Sequence, residues 1–299
     1  MLVPLQELLS HARRNDYAVG YFEAWDSYSL EAVAEAAALE SSPVILGFGC
    51  QMVDRAWLDQ GGIDLLGRLG RLVAESCPVP VSLLLNEAQT LEQAERGLRA
   101  GFNAIMLDTS TWPRDEAVAA VSRLTKLAHA AGAAVEAELG HLPDATPGGI
   151  DAGAASLTDP DEAAAFVEQT GVDCLAVSIG NIHLLTDAEA PVDMELLSRI
   201  HERIDVPLVI HGGTGFPLRE VRRAISLGVA KFNVGTTLKR AFLDGIPSRA
   251  DSGRDIVDVH AALGSHKETD ILVVGKERMR LRVQQLMRAY GSGGRVDTP

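Results

Sequence analysis

The segment spanning residues 174–238 reads CLAVSIGNIHLLTDAEAPVDMELLSRIHERIDVPLVIHGGTGFPLREVRRAISLGVAKFNVGTTL. Three short apolar runs, CLAVSI, LVIH and KFNV, alternate there with longer segments of helical character. Pro217 marks the start of one predicted helix and Gly228 marks its end. Because each interval leaves room for a helix and two loops, the segment predicts parallel strands joined by helices.

The same alternation extends toward the N-terminus. Five further strand-like runs begin at Ala18, Val44, Val81, Ala104 and Ala133. The total of eight strand–helix units favours a closed barrel over an open sheet. We therefore predict an α/β protein with a (β/α)8 TIM barrel, in which residues 1–299 form a single domain and residues 291–299 form a loose tail.

Two stretches of the chain show no clear period, residues 141–156 and residues 245–265. The first stretch follows the fifth predicted strand, on the side of a barrel where the strands have their carboxyl ends. We expect a mobile active-site loop there, because long aperiodic loops in compact domains are commonly functional.

The charge balance narrows the range of partners. The chain carries 41 acidic and 27 basic side chains, which gives a net charge of −14. This sign disfavours binding to nucleic acid or to an anionic membrane surface, and no apolar run reaches the ~18 residues of a membrane span. The first residues lack the apolar core of a signal peptide, and three widely spaced cysteines are typical of reduced thiols. We expect a cytoplasmic protein that binds neither nucleic acid nor membranes.

Polar side chains follow most of the predicted strands, where barrel topology brings them to one rim. The candidates on this rim are Asn86, Glu87, Asp108, Glu136, Glu138, His183 and His211. Two histidines among several carboxylates are typical of a divalent metal site, although a lone histidine after a strand is more often a hydrogen-bonded loop residue. Asp108 and Glu136 are equally consistent with strand-end acids that pair with neighbouring loops.

Two glycine-containing turns, HGGTG at 211–215 and NVGTT at 233–237, follow the last two strands. The backbone N–H groups of such turns bind phosphate at helix N-termini, and the loops after the seventh and eighth strands form the usual phosphate site of a barrel. The predicted phosphate-binding residues are Gly212, Gly213, Thr214, Asn233, Val234, Gly235 and Thr236. Lys231 is expected at the start of its strand and away from the rim, which disfavours a Schiff-base lysine.

Together these stretches resemble class II, metal-dependent ketose-bisphosphate aldolases of the fructose- and tagatose-bisphosphate type. The matching stretches are YAV at 17–19, SPVIL at 42–46, VEAELG at 135–140, LTDP at 157–160, TGVDCLAVSIGNIH at 170–183, VPLVIHGGTG at 206–215 and KFNVGTTL at 231–238. They span most of the chain in the order found in the family. The resemblance implies a TIM barrel, a catalytic Zn²⁺ with another divalent metal as the alternative, and a homodimer or homotetramer.

The resemblance also implies roles for individual residues. His183 and His211 match two of the zinc histidines, and Asp108 and Glu138 match the acids that hold the metal in an alternative position. The two glycine turns match the loops that bind a substrate such as dihydroxyacetone phosphate. In the reaction of the family, zinc polarises the ketose carbonyl and stabilises the enediolate left by carbon–carbon cleavage. We therefore expect reversible aldol cleavage of a phosphorylated ketose or a related polyol.

The rim departs from the family pattern after the third strand. Where the family has Asp-His, a catalytic acid/base followed by a zinc ligand, this sequence has Asn86-Glu87. Asn86 cannot carry a proton, whereas Glu87 can carry one or bind zinc. We favour Glu87 as the third zinc ligand. In that scheme the proton is transferred by Glu23, Asp144 or Glu138. In the alternative scheme Glu87 is the base, and the third metal ligand is Glu138 or Asp108.

Three further positions differ from the family pattern. Glu23 stands where the family has Asn after Phe, Gly49 stands in place of Ser, and Leu184 replaces the glycine after the first zinc histidine. Changes at the rim of a retained scaffold indicate altered chemistry or substrate. An active aldolase is the main hypothesis, and a non-catalytic paralogue that binds metal and sugar phosphate is the alternative.

Overall fold

The computed structural model describes residues 1–146, 149–151, 155–185, 188–246 and 258–296. Its strands are β1 (Val19–Glu23), β2 (Val44–Gly49), β3 (Val81–Ala88), β4 (Ala104–Leu107), β5 (Ala134–Leu139), β6 (Asp144–Thr146), β7 (Gly149–Asp151), β8 (Cys174–Val177), β9 (Leu208–Ile210) and β10 (Val229–Val234). Eight of them close into a parallel barrel in the order β1-β10-β9-β8-β5-β4-β3-β2. The predicted (β/α)8 barrel is confirmed.

Helices connect the barrel strands and form the outer layer. They are α1 (Leu5–Arg14), α2 (Ser27–Leu39), α3 (Arg55–Trp57), α4 (Ile63–Ser76), α5 (Leu91–Ala100), α6 (Arg114–Ala130), α7 (Pro160–Thr170), α8 (Met194–His201), α9 (Val221–Ser226), α10 (Thr236–Gly245), α11 (Val259–Ala262) and α12 (Ile271–Tyr290). A π-helical turn (Leu58–Gly62) precedes α4, and a 3₁₀ turn (Leu218–Glu220) precedes α9. Among the described residues no helix is both long and apolar enough to cross a membrane.

Local sequence accounts for where the helices begin and end. The Thr90 hydroxyl accepts a hydrogen bond from the Gln93 backbone N–H at the start of α5, and Gly101 ends that helix with φ +102°. Asp159 caps α7 in the same way, and Pro160 is its first helical residue. These signals set where each helix starts and stops, so that each following strand runs parallel to the one before it.

The apolar core lies on both sides of the barrel wall. One cluster fills the space between strands and outer helices, and a second combines barrel-interior residues such as Leu84, Met106 and Val209 with Leu5 and Leu9 of α1. Helix α1 therefore packs apolar side chains against the barrel interior. The site described below lies at the carboxyl ends of the strands.

The aperiodic stretch after β5 contains the short antiparallel hairpin β6–β7. The backbone N–H of Ala145 donates to the carbonyl of His183 at 2.9 Å, and the N–H of His183 donates to the carbonyl of Pro143 at 2.9 Å. These bonds join the hairpin to the loop after β8. Residues 147–148 and 152–154 of the expected loop lie outside the described residues, as do residues 247–257 of the second aperiodic stretch.

The segment that follows α12 was expected to be loose, but its described part is held by the chain. The Gly294 N–H donates to the carbonyl of Glu40 at 2.7 Å, and the Val296 N–H donates to the carbonyl of Ser41 at 3.0 Å. These backbone bonds fix residues 291–296 against the end of α2, whereas residues 297–299 lie outside the described residues.

Candidate active site

Three side chains from different strand ends converge at the rim of the barrel. Glu87 lies near the end of β3, and His183 and His211 follow β8 and β9. One ligand atom from each lies within 4.8 Å of the others. Two imidazoles and a carboxylate form a donor set that zinc enzymes use. These are the three residues that the sequence favours as metal ligands, and their chemistry and spacing fit a divalent ion.

An irregularity in β3 brings Asn86 and Glu87 to the same cavity. Consecutive residues of a regular strand point to opposite faces. Here the pairing of β3 with β4 shifts register between Leu85 and Ala88, and Glu87 has φ +55°. This bulge lets both side chains line the cavity. Asn86 is 4% exposed and its Oδ1 has no hydrogen-bond partner, so this oxygen is available to a ligand.

The loops that carry the two histidines are tied together by Asn181. Its Oδ1 accepts the N–H of Ile179 at 2.8 Å, and its Nδ2 donates to the carbonyl of His211 at 2.9 Å. The hairpin supports His183 on the other side, where Asp144 Oδ1 lies 3.6 Å from His183 Nδ1. Burial lowers the pKa of His183, but the adjacent Asp144 carboxylate and other nearby carboxylates outweigh it and raise the pKa overall.

Both nitrogens of His211 face carboxylates. Nε2 lies 2.9 Å from Glu136 Oε1, and Nδ1 lies 3.0 Å from Glu138 Oε2 and 3.4 Å from Glu87 Oε1. Burial opposes protonation, yet the hydrogen bond with Glu136 and the nearby carboxylates of Glu138 and Glu87 raise the pKa of His211 well above its ordinary value. A ring that donates through Nε2 to Glu136 presents Nδ1 to the metal position.

The expectation that Lys231 begins its strand is wrong, since β10 begins at Val229. Lys231 is fully buried inside the barrel, and its Nζ lies 2.7 Å from Glu136 Oε2 and also bonds Asn233 Oδ1. Burial raises the pKa of Glu136, but the Lys231 charge and the bonds from His211 outweigh it and lower the pKa to about 2. An amine held in this buried ion pair is unsuited to Schiff-base chemistry.

The buried series Lys231–Glu136–His211 was not predicted from the sequence, in which Glu136 was a candidate for the rim or a strand-end acid. A usable signal exists in the alternation of the strands. Glu136 and Glu138 are two residues apart in β5, and Lys231 and Asn233 are two residues apart in β10. Residues at this spacing share one face, so a rim residue predicts that its partner two positions earlier points into the barrel.

A main cavity of about 180 Å³ opens above the metal ligands. Of the predicted site residues, those that line it are Asn86, Glu87, His183, His211, Gly212, Thr214, Asn233, Val234, Gly235 and Thr236. Gly213 instead donates its N–H to the carbonyl of Asn233 at 2.9 Å and thereby joins the two glycine turns. A Cβ on Gly213 would lie 2.7 Å from that same oxygen, so the close approach requires glycine.

Asp108 and Glu138 lie on a smaller cavity beside the main one. Both line it together with Glu87 and His183. Asp108 Oδ1 accepts hydrogen bonds from the backbone N–H and the hydroxyl of Ser110, at 3.0 and 2.7 Å. Glu138 Oε2 is buried and has no hydrogen-bond partner of good geometry. The structure thus places the two acids of the expected alternative metal position next to the main ligand set.

The three acids considered as proton carriers have different surroundings. Glu23 lines the main cavity and pairs with Lys239 at 2.6 Å. Asp144 lies on the smaller cavity beside His183, with a side chain that is 43% exposed. The side chain of Glu138 is 10% exposed and lies against His211. Leu184, which also lines the main cavity, has φ +57°.

Comparison with known proteins places this site in a family. The sequence profile described as "Fructose-bisphosphate aldolase class-II" matches residues 3–295. The chain is 32% identical over 297 residues to a fructose-bisphosphate aldolase of Geobacillus stearothermophilus, covering 99% of each chain. It is 37% identical over 246 residues to the D-tagatose-1,6-bisphosphate aldolase subunit GatY of Klebsiella oxytoca, covering 82% of this chain and 85% of that one.

A solved structure shows the same likeness. The crystal structure of the YdjI aldolase from Escherichia coli K12 matches with a TM-score of 0.82 and 28% identity, covering 99% of this chain and all of the other. This chain therefore belongs to the class II fructose-bisphosphate aldolase family. Metal-dependent aldol cleavage is the reaction of that family, so the chain is an aldolase of the lyase class whose substrate the similarity leaves open.

Proposed function

We propose that this protein is a Zn²⁺-dependent aldehyde-lyase that reversibly cleaves a phosphorylated ketose, with His183, His211 and Glu87 as metal ligands. The observation that carries the proposal is the convergence of these three ligand atoms within 4.8 Å beneath a cavity that leads to the two glycine turns. Asp108 and Glu138 line the adjoining cavity and would hold the metal in an alternative position. Another divalent ion in place of zinc would use the same donors.

The two glycine turns are assigned to the phosphate group. Gly212, Thr214, Gly235 and Thr236 line one side of the main cavity, and Thr236 begins α10. Backbone N–H groups at a helix N-terminus favour an anion. With the phosphate held there, the carbonyl end of a ketose points toward the metal ligands across the cavity.

The remaining residues bind and move protons. When bound, the metal supplies positive charge that stabilises the negative charge developing at the substrate carbonyl oxygen. The buried, unpartnered Oδ1 of Asn86 accepts a hydrogen bond from a substrate hydroxyl. We assign the proton transfer to Glu138, because Glu23 is paired with Lys239 and Asp144 is 43% exposed, whereas the Glu138 side chain is 10% exposed and its Oε2 has no hydrogen-bond partner of good geometry. The Glu138 carboxylate lies on the smaller cavity, which adjoins the main cavity at Glu87 and His183.

We further propose a cytoplasmic enzyme of carbohydrate metabolism, in which residues 1–299 form one domain that assembles as a homodimer or homotetramer. Three free and buried cysteines support a reducing compartment. Leu65 and Leu72 on α4 are 59% and 68% exposed, which supports an apolar contact between copies of the chain. Sedimentation equilibrium would measure the oligomeric state.

Aldol cleavage of a panel of ketose phosphates tests the proposed function. The panel should contain fructose and tagatose bisphosphates and ketose 1-phosphates, with release of dihydroxyacetone phosphate as the readout. We expect activity that a chelator abolishes and added Zn²⁺ restores. Protein that binds zinc and dihydroxyacetone phosphate, but neither cleaves any member of the panel nor exchanges the substrate C–H proton with solvent, would be a binding paralogue.

A further inference from the structure

An ion pair lies inside the region assigned to phosphate. Glu23 is the last residue of β1, and Lys239 lies in the first turn of α10. Glu23 Oε1 is 2.6 Å from Lys239 Nζ, and the side chain of Glu23 is only 20% exposed. Both residues line the main cavity together with Gly235 and Thr236. The anion position beside the start of α10 is therefore already occupied by a carboxylate of the chain itself.

Two glycines make the room that this carboxylate needs. A Cβ on Gly235 would lie 2.0 Å from Glu23 Oε2, and a Cβ on Gly49 would lie 3.1 Å from Glu23 Oε1. Gly49 stands where the family pattern has serine, and Glu23 stands where it has asparagine. One contact thus accounts for both departures, since the longer carboxylate fills space that a serine side chain would enter.

The pair also uses the cation that a phosphate would need. Among the described residues that line the main cavity, Lys239 alone is a lysine or an arginine. Glu23 and Glu87 are the carboxylates among the described residues that line this cavity, so the lining carries no surplus of positive charge. A phosphate that entered beside Gly235 would meet a paired lysine and a carboxylate in contact distance.

We propose that Glu23 is a specificity-determining residue that competes with substrate phosphate for Lys239 and for the position beside Gly235. This inference rests on the proposed function, in which the glycine turns bind phosphate. A phosphorylated ligand binds there only when the ion pair between Glu23 and Lys239 breaks. Repulsion between the phosphate and the Glu23 carboxylate then weakens its binding. Inorganic phosphate and simple phosphate esters therefore bind weakly, because they lack the carbonyl and hydroxyl oxygens that would reach the metal ligands.

Calorimetric titration of the zinc-loaded full chain with inorganic phosphate tests this inference. Glu23→Gln keeps the shape of the side chain and removes its charge. We expect Glu23→Gln to bind phosphate at least about tenfold more tightly than the wild type, since like charges in close contact disfavour binding strongly. Adding Lys239→Met to Glu23→Gln should remove the gain, because the gain depends on the released lysine.

A matched control separates this effect from the change in net charge. Glu202 is exposed at the end of α8, which leads into β9 from the opposite end of the barrel. Glu202→Gln changes net charge by the same amount and should bind phosphate like the wild type. Thermal unfolding of each variant checks that the fold is retained.

The outcomes distinguish this inference from the proposed function. Equal phosphate affinity in the wild type and Glu23→Gln overturns the inference, as does an absence of binding in both, whatever the aldolase assay shows. Tighter binding by Glu23→Gln supports the inference even if the wild type cleaves no ketose phosphate, in which case the proposed function fails alone.

Discussion

Replacing Lys231 with methionine would test the buried chain that supports the metal ligands. Lys231 and Glu136 are both fully buried, and their closest atoms are 2.7 Å apart. Glu136 in turn accepts a hydrogen bond from Nε2 of His211. Methionine has a similar volume and no charge, so Lys231→Met removes the cation while leaving the barrel interior filled.

The distance sets the expected loss of stability. At 2.7 Å and an effective dielectric constant of about 20, the attraction between the two charges is about 6 kcal/mol. Desolvation offsets much of this in the wild type, but Lys231→Met leaves the Glu136 carboxylate buried without its cation. Breaking a buried pair in this way costs about 3–5 kcal/mol of unfolding free energy. We expect a loss in that range.

The same variant should bind zinc more weakly. Glu136 orients the His211 ring so that Nδ1 faces Glu87 and Glu138. Loss of such an outer-shell partner typically lowers metal affinity by about 10–100-fold. In Lys231→Met the Glu136 carboxylate is free to take up a proton or to move, and we expect a reduction of zinc affinity within that range.

Urea unfolding and zinc competition with a chromogenic chelator measure the two effects. Lys267 is exposed, so Lys267→Met is a matched control that should change neither quantity. The double variant Lys231→Met/Glu136→Gln should regain part of the lost stability, because no unpaired charge stays buried. If Lys231→Met loses less than about 1 kcal/mol of stability and binds zinc like the wild type, the assigned roles of Lys231 and Glu136 are wrong.

Four further predictions concern the rim. Glu87→Ala should lose zinc and activity together, whereas Glu87→His should retain zinc; full zinc content in Glu87→Ala would exclude Glu87 as a ligand. Asn86→Asp should gain little fructose- or tagatose-bisphosphate cleavage, and a large gain in a coupled assay would show that only the base had been lost. The unfolding free energy of Leu184→Gly, measured in urea, should exceed that of Leu184→Ala by about 1 kcal/mol, because φ at this position is +57° and glycine adopts a positive φ without strain. A more stable Leu184→Ala would contradict this reasoning. In zinc-free protein the raised pKa of His211 stabilises the fold at pH values below the unfolded pKa of 6.5, and this contribution is lost as pH rises through the folded pKa. The urea midpoint of unfolding should therefore decrease as pH rises above about 6.5. In His211→Gln the midpoint should depend less steeply on pH.

The barrel could be predicted because its strands are short, apolar and separated by capped helices. Seven of the eight predicted strand starts lie within one residue of the structure, and β10 begins two residues earlier than predicted. The β6–β7 hairpin was not predicted. Its three-residue strands carry too little pattern, and it is joined by backbone bonds to the loop that contains His183.

His183 and His211 could be predicted at one rim because barrel topology brings strand ends together. Glu87 was favoured as the third ligand because it stands at the ligand position of the family that the sequence resembles, and the bulge in β3 that turns it into the cavity was not predicted. Predicting the pair of Lys231 and Glu136 needed knowledge of strand register, because β5 and β10 are not neighbours in the barrel and their contact depends on which residues point inward. The contact between Glu23 and Gly49 likewise depends on side-chain direction across two adjacent strands.

Two of the replacements at the rim add negative charge to the site. Where the family pattern has asparagine and histidine, this chain has Glu23 and Glu87, and both carboxylates line the main cavity. Lys239 is already paired, and a carboxylate ligand cancels part of the charge of a bound metal in a way that imidazole does not. Each additional phosphate on a ligand therefore meets more repulsion here than in a site that follows the family pattern. Because the barrel and the histidine loops are retained, we expect these changes to act on what is bound, so that the ketose-phosphate panel shows faster cleavage of a ketose that carries one phosphate than of one that carries two.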